Sequence, residues 1–158
     1  MRRLIPTLLA SVAVSVSAAH GAVACRCDTS EPWNPDVEAG LSSSDFVFFG
    51  QVTTRSGFDE GVPRSFRSWE FDVAAVWKGP GLRTSRVFAH SESNLVSSCD
   101  REFKIGETYV VFAYLEPGAS SERFRAGVCS LTSLITSESG FSHDLVRRLG
   151  DPKHEPRR

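Results

Sequence analysis

Between Trp69 and Trp77 every second residue is apolar: Trp69, Phe71, Val73, Ala75 and Trp77, with Glu70 and Asp72 among the residues between them. Side chains alternate faces along a strand, so the pattern predicts a half-buried strand with all five apolar residues on one face. Lys78-Gly79-Pro80-Gly81 ends it, because glycine and proline interrupt a β-ladder. Other segments read the same way. "SDFVFFGQVTT" is rich in aromatic and β-branched residues and predicts a strand from about Phe46 to Thr54. "TSRVFAH" predicts a third, and Thr108 to Leu115 a central strand, apolar on both faces and so covered on both. A turn at Pro117-Gly118 leads to a fifth, about Phe124 to Cys129.

Helical signals lie toward the ends. A short helix is expected to start near Asn34 as cap, with Pro35 in its first turn. Phe141, Leu145 and Leu149 recur every four residues and predict a second helix. Five short strands with flanking helices imply a mainly β domain, a small barrel. An immunoglobulin-like sandwich is the rival, but it wants about seven strands.

The N-terminus reads as an export signal. A basic Met1-Arg2-Arg3 precedes an apolar run from Leu4 to Ala19, and Ala22-Val23-Ala24 sets small residues before a cut at Cys25. The run is shorter than the ~20 residues of a membrane span. Residues 1–24 are therefore expected to be removed, 25–150 to form the domain, and 151–158 to be a disordered polar tail. The product is expected outside the cytoplasm, secreted or periplasmic, off the membrane and monomeric. Losing Arg2 and Arg3 takes the formal net charge from −1 to −3. Such a chain offers no basic field for nucleic acid or anionic lipid.

Four cysteines remain, Cys25, Cys27, Cys99 and Cys129, an even number that in an exported chain favours two disulfides. Three pairings are open. A Cys25–Cys27 bridge would close a small strained ring, so each is expected to seek a distant partner. Loops that long restrict the unfolded chain by roughly 4–5 kcal/mol each in the chain-entropy account. Lipidation of Cys25 competes with cleavage, although Ala22 stands where lipoprotein processing wants a bulky apolar residue and three cysteines would remain.

Enzyme signatures are missing. No HExxH, HxH or Cys-x-x-Cys occurs, and Ser91 and Ser93 near His90 are not in a GxSxG elbow. Trp69 and Trp77 read as core or rim residues, Trp33 as a loop residue, and Tyr109 and Tyr114 as packing on opposite faces of one strand. The chain is expected to be no enzyme and to carry no cofactor or metal of its own.

The order of segments resembles a known group. Cys-x-Cys at the cleavage point is followed by "FVFFGQV", "WEFDVAAVWKG", "SSCDREFKIGETYVVFAYL" and "GVCSLT". This is similar to the N-terminal domain of tissue inhibitors of metalloproteinases and the wider netrin-like group, over roughly residues 25–135. The shortened layout looks like the group's bacterial single-domain relatives. The resemblance implies an OB-like barrel with Cys25–Cys99 and Cys27–Cys129 bridges. It further implies that the α-amine and carbonyl oxygen of a freed Cys25 chelate the catalytic zinc of a target metalloprotease. Arg26 would then point into the protease pocket, with Ser97 and Ser98 alongside. Arg26 stands where the group usually carries a small Thr or Ser, and the group's third disulfide and cysteine-rich second domain have no counterpart. Two other expectations share the fold: an exported interaction module without inhibitory activity, and a lipid-anchored envelope protein.

Overall fold

The computed structural model describes residues 36–61, 67–88, 99, 101–116, 123–136 and 140–155. In chain order these form α1 (Val37–Ser43), β1 (Phe46–Ser56), β2 (Ser68–Lys78), β3 (Thr84–Phe88), β4 (Thr108–Leu115), β5 (Phe124–Arg125), β6 (Ser133–Leu134) and α2 (Gly140–Leu149). The protein is mainly β. Strands run β1-β2-β3-β5-β4, and β4 pairs back onto β1 to close a five-stranded barrel. Neighbours are antiparallel except β3 and β5, which pair in parallel through Val87–Phe124 and Phe88–Arg125.

β4 is the strand around which the rest is built. One edge pairs with β1 from Thr108 to Ala113. The other edge meets β6 at Tyr109 and Val110 and β5 at Tyr114 and Leu115. Between those partners the backbone amide of Phe112 donates to Thr132 Oγ1 at 2.9 Å, and the hydroxyl donates back to Phe112 O at 3.3 Å. A buried side chain thus stands in for a missing strand and keeps the ladder satisfied. The expected fifth strand to Cys129 stops at Arg125, because the chain turns at Gly127–Ser130. There the Ser130 amide and hydroxyl both donate to Gly127 O.

The strand faces sort into two apolar clusters. Inside the barrel lie Phe46, Phe48, Val52, Trp69, Phe71, Val73, Val76, Tyr109 and Val111, with Phe103 contributed by the segment before β4. Outside, Val47, Trp77, Val110 and Phe112 pack with Val37 of α1 and Leu145 of α2. β4 is therefore covered on both faces, as its sequence predicts.

The regular alternation of β2 does not survive intact. Phe49 pairs with Ala75 and Gly50 with Val73, which leaves Ala74 as an extra residue, a bulge. Each bulge residue shifts the side-chain phase by one. Trp69, Phe71 and Val73 point inward, Val76 takes the next inward place, and Ala75 and Trp77 turn out under the helices. The expectation that Trp69 and Trp77 share a face is thus corrected.

Local chemistry sets the helix ends. Asp36, not Asn34, caps α1: its Oδ1 accepts from the amides of Glu38 at 3.0 Å and Ala39 at 3.1 Å. Asn34 and Pro35 lie outside the described residues. At the other end Lys78 Nζ donates to Leu41 O and Ser42 O at 2.7 and 3.1 Å, placing a cation on carbonyls that the helix leaves unpaired. The chain can leave β2 there because Gly79 has φ +95, and a Cβ at that position would lie 2.8 Å from Asp45 O. In the segment expected as a tail, His154 forms a bridge with Val76. The Val76 amide donates to His154 O at 3.0 Å, and the Lys153 amide to Val76 O at 2.8 Å. β3 pairs with β2 only from Ser68 to Asp72, so these residues occupy the edge it leaves.

Candidate functional site

Of the residues assigned to a protease-binding edge, Cys25, Arg26, Cys27, Ser97 and Ser98 lie outside the described residues. Cys99 and Cys129 are described, and the fold brings their chain segments together. The amide of Val128 donates to Cys99 O at 2.9 Å, and that of Arg101 donates to Ala126 O at 3.1 Å. Residues 99–101 and 126–128 therefore run side by side, with Cys129 one residue beyond a hydrogen-bonded pair. Among the described residues no cysteine is a free thiol.

The segment from Arg101 continues into the wall of a cleft of about 600 Å³ at the barrel end where β1 finishes and β2 and β4 begin. Its inner wall is aromatic. Phe103 plugs the barrel mouth, 4 % exposed, with its ring edge-on to Phe71 (5.1 Å between centroids, 89°) and Tyr109 (5.0 Å, 87°). Trp69 meets it at 5.4 Å and 70°, and Phe58 meets Trp69 at 5.1 Å and 68°. Edge-to-face pairs set the positive rim of one ring against the negative face of the next, which holds the cluster in one arrangement. Ile105, 55 % exposed, stands at the mouth.

Charge surrounds this aromatic floor. The guanidinium carbons of Arg55 and Arg67 each lie 5.1 Å from the centre of the Phe58 ring, within cation–π range. Arg101 and Lys104 line the cleft, together with Glu102 and Glu107. Lys104 Nζ lies 3.7 Å from Glu107 Oε1, and Tyr109 donates its hydroxyl proton to Glu107 Oε2 at 2.8 Å. Burial pushes the Tyr109 hydroxyl above the ordinary tyrosine range; the Lys104 amide, donating to the same oxygen, opposes that shift and Glu107 adds to it.

A second charged group sits at the other end of β4. Arg125 is 4 % exposed and its Nη1 lies 3.4 Å from Glu116 Oε1, itself 7 % exposed. The guanidinium stacks over Tyr114 at 5.5 Å, and its Nε and Nη2 have no hydrogen-bond partner. Burial lowers its pKa below the usual arginine value. This is an interior ion pair that pins β5 to the chain just past β4.

Sequence reasoning found the cysteines but not the cleft. Arg55, Phe58, Trp69, Arg101 and Phe103 come from three separate stretches of chain, and no short motif contains them. No group of His, Cys, Asp or Glu among the described residues could hold a metal ion, and no helix among them is long and apolar enough to cross a membrane. Compared with known proteins, the chain matches no family model and has no significant match among characterised proteins.

Proposed function

We propose that the chain is an exported, netrin-like OB barrel that inhibits a zinc metalloprotease through its processed N-terminus. The observation that supports this most is the adjacency of the Cys99 and Cys129 segments through the Val128–Cys99 backbone bond. Residues two apart in an extended chain are separated by about 6.5–7 Å. A Cys-x-Cys unit is therefore the right length to be tied at two points of one barrel edge, as Cys25–Cys99 and Cys27–Cys129 bridges require. The closed five-stranded barrel agrees with the OB-like architecture of the proposed group.

In this reading the α-amine and carbonyl oxygen of Cys25 close a five-membered chelate on the protease's zinc. A catalytic zinc keeps one position for water, and a chelating N-terminus displaces the nucleophile from it. The amine must be neutral to bind. Its reference pKa of about 7.7–8.0 makes inhibition strengthen as pH rises from about 6 to 8. Two disulfides hold the chelating atoms in place, so little ordering remains to be done on binding.

The test compares processed protein with a form carrying one extra alanine before Cys25, across a panel of zinc proteases. The extension separates the amine from its carbonyl partner and is expected to lower inhibition by about 100-fold, which corresponds to roughly 2.7 kcal/mol of lost coordination. Equal inhibition by both forms, or none by either, overturns the proposal. Arg26 favours a second reading, an exported interaction module without inhibitory activity, because a long cation fits poorly in a deep apolar specificity pocket. Arg26→Thr separates the two: stronger or broader inhibition supports the first, and continued inactivity supports the second. Mass and N-terminal sequence of the exported product identify a lipid-anchored form directly.

A further inference from the structure

The two buried tryptophans of β2 also differ in how the indole N–H is satisfied. Trp77 Nε1 donates to Gly150 O at 2.8 Å, whereas Trp69 Nε1 is buried with no acceptor. A buried donor without a partner forfeits its hydration with no return, and native proteins keep few of them. Trp69 is 1 % exposed and lines the cleft at the barrel mouth. The surrounding cations are also short of acceptors. Arg55, Arg67 and Arg101 take part in no ion pair among the described residues, and Arg67 Nε is a further buried donor without a partner. Lys104 and Glu107 neutralise one another, and Glu107 is further occupied by Tyr109. Glu102 is the other carboxylate on the rim. The balance is three guanidiniums, one of them with a buried orphan N–H, and the orphan indole N–H of Trp69, against the one carboxylate of Glu102, around an aromatic floor.

We propose that this cleft is a binding site for a small organic anion, a flat apolar body carrying a carboxylate. Guanidinium forks match carboxylate geometry and stack on flat π-systems, so Arg55 and Arg101 can hold the head group while the body lies against Phe58 and Ile105. A volume of about 600 Å³ falls in the range of small-ligand sites. The surplus of donors over acceptors selects against cations and neutral donors, and the aromatic wall selects against bare inorganic anions. The proposal does not rest on zinc chelation, and its test uses no protease.

The exported protein is titrated calorimetrically with indole-3-acetate, with neutral indole-3-acetamide, with acetate, and with a capped acidic peptide bearing one phenylalanine. Indole-3-acetate is expected to bind about tenfold more tightly than the amide or acetate. Arg55→Gln and Arg101→Gln are each expected to weaken it by about tenfold, with Arg86→Gln, an exposed residue paired to Glu70, leaving it unchanged. In ¹⁵N-labelled protein the Trp69 indole cross-peak is expected to move on titration while that of Trp77 stays. Equal affinity for acid and amide overturns the proposal, as does insensitivity to both arginine variants or no saturation by about 1 mM. Tighter binding of the peptide than of indole-3-acetate also overturns it and reassigns the cleft to a protein segment.

Discussion

The inside and the outside of the barrel are both dry, but they are held by different means. Inside, Phe48, Phe71, Phe103, Tyr109 and Trp69 form a chain of ring contacts between strands that are covalently distant and hydrogen-bonded into a closed cylinder. Outside, Val47, Val110, Phe112 and Trp77 are covered by one face each of two short helices. A ring in the interior has little room to relax, since its neighbours belong to the closed sheet or, as Phe103 does, to the segment that plugs its mouth. A helix resting on the outer face can shift toward a vacancy. Equal burial therefore implies unequal sensitivity, and the two faces divide the labour of rigidity and cover.

The largest test of that contrast is Phe71→Ala. Phe71 is 0 % exposed and contacts three other rings, so the substitution is expected to cost about 3–5 kcal/mol, read from the midpoint of urea unfolding. Leu145→Ala on α2 removes a side chain buried nearly as completely, at 1 % exposed. It is expected to cost about 2–3 kcal/mol, the low end for such a deletion, because α2 can settle into the space. A loss at Leu145 equal to or greater than that at Phe71 would show that the outer layer is as rigid as the barrel.

Smaller effects come from the polar ends of the two tryptophans. Both Trp→Phe substitutions remove similar volume, but Trp77→Phe also removes a hydrogen bond to Gly150, whereas Trp69→Phe removes a donor that has no partner. Trp77→Phe is expected to be the more costly by about 1 kcal/mol in the ligand-free protein. Identical losses would mean that Trp69 has an acceptor in solution.

The smallest effect is a pH dependence. The Tyr109 hydroxyl titrates above its unfolded value, chiefly through burial. Above about pH 10 the unfolded chain therefore releases this proton while the folded one still holds it, so stability falls as pH rises further. Below that pH the contribution is fully present. Tyr109→Phe is expected to flatten this alkaline limb in denaturation measurements, and an unchanged limb would place the titration elsewhere.

Local periodicity carried much of this architecture. Thr108 to Leu115 matches β4 residue for residue, and the expected cores of β1 and β2 lie within the observed strands. Such patterns are legible because burial against one face imposes period two on a strand and about four on a helix, whatever the rest of the chain does. The four cysteines and the apolar N-terminal run are equally visible in the sequence, since both are matters of composition and spacing. Other features had no local signature. The bulge at Ala74 sends Trp77 to the opposite face from Trp69, and nothing in "FDVAAVW" marks which alanine is the extra one; the pairing to β1 decides it. Thr132 completes the β4 edge only because its hydroxyl arrives between β5 and β6. The cleft is assembled from the end of β1, the start of β2 and the segment before β4, residues as far apart in the chain as Arg55 and Tyr109. Sequence specified which residues seek an apolar face and where the chain turns. Closure of the barrel selected which face each one found, because only a complete set of strand partners sets register, and register determines what stands beside what.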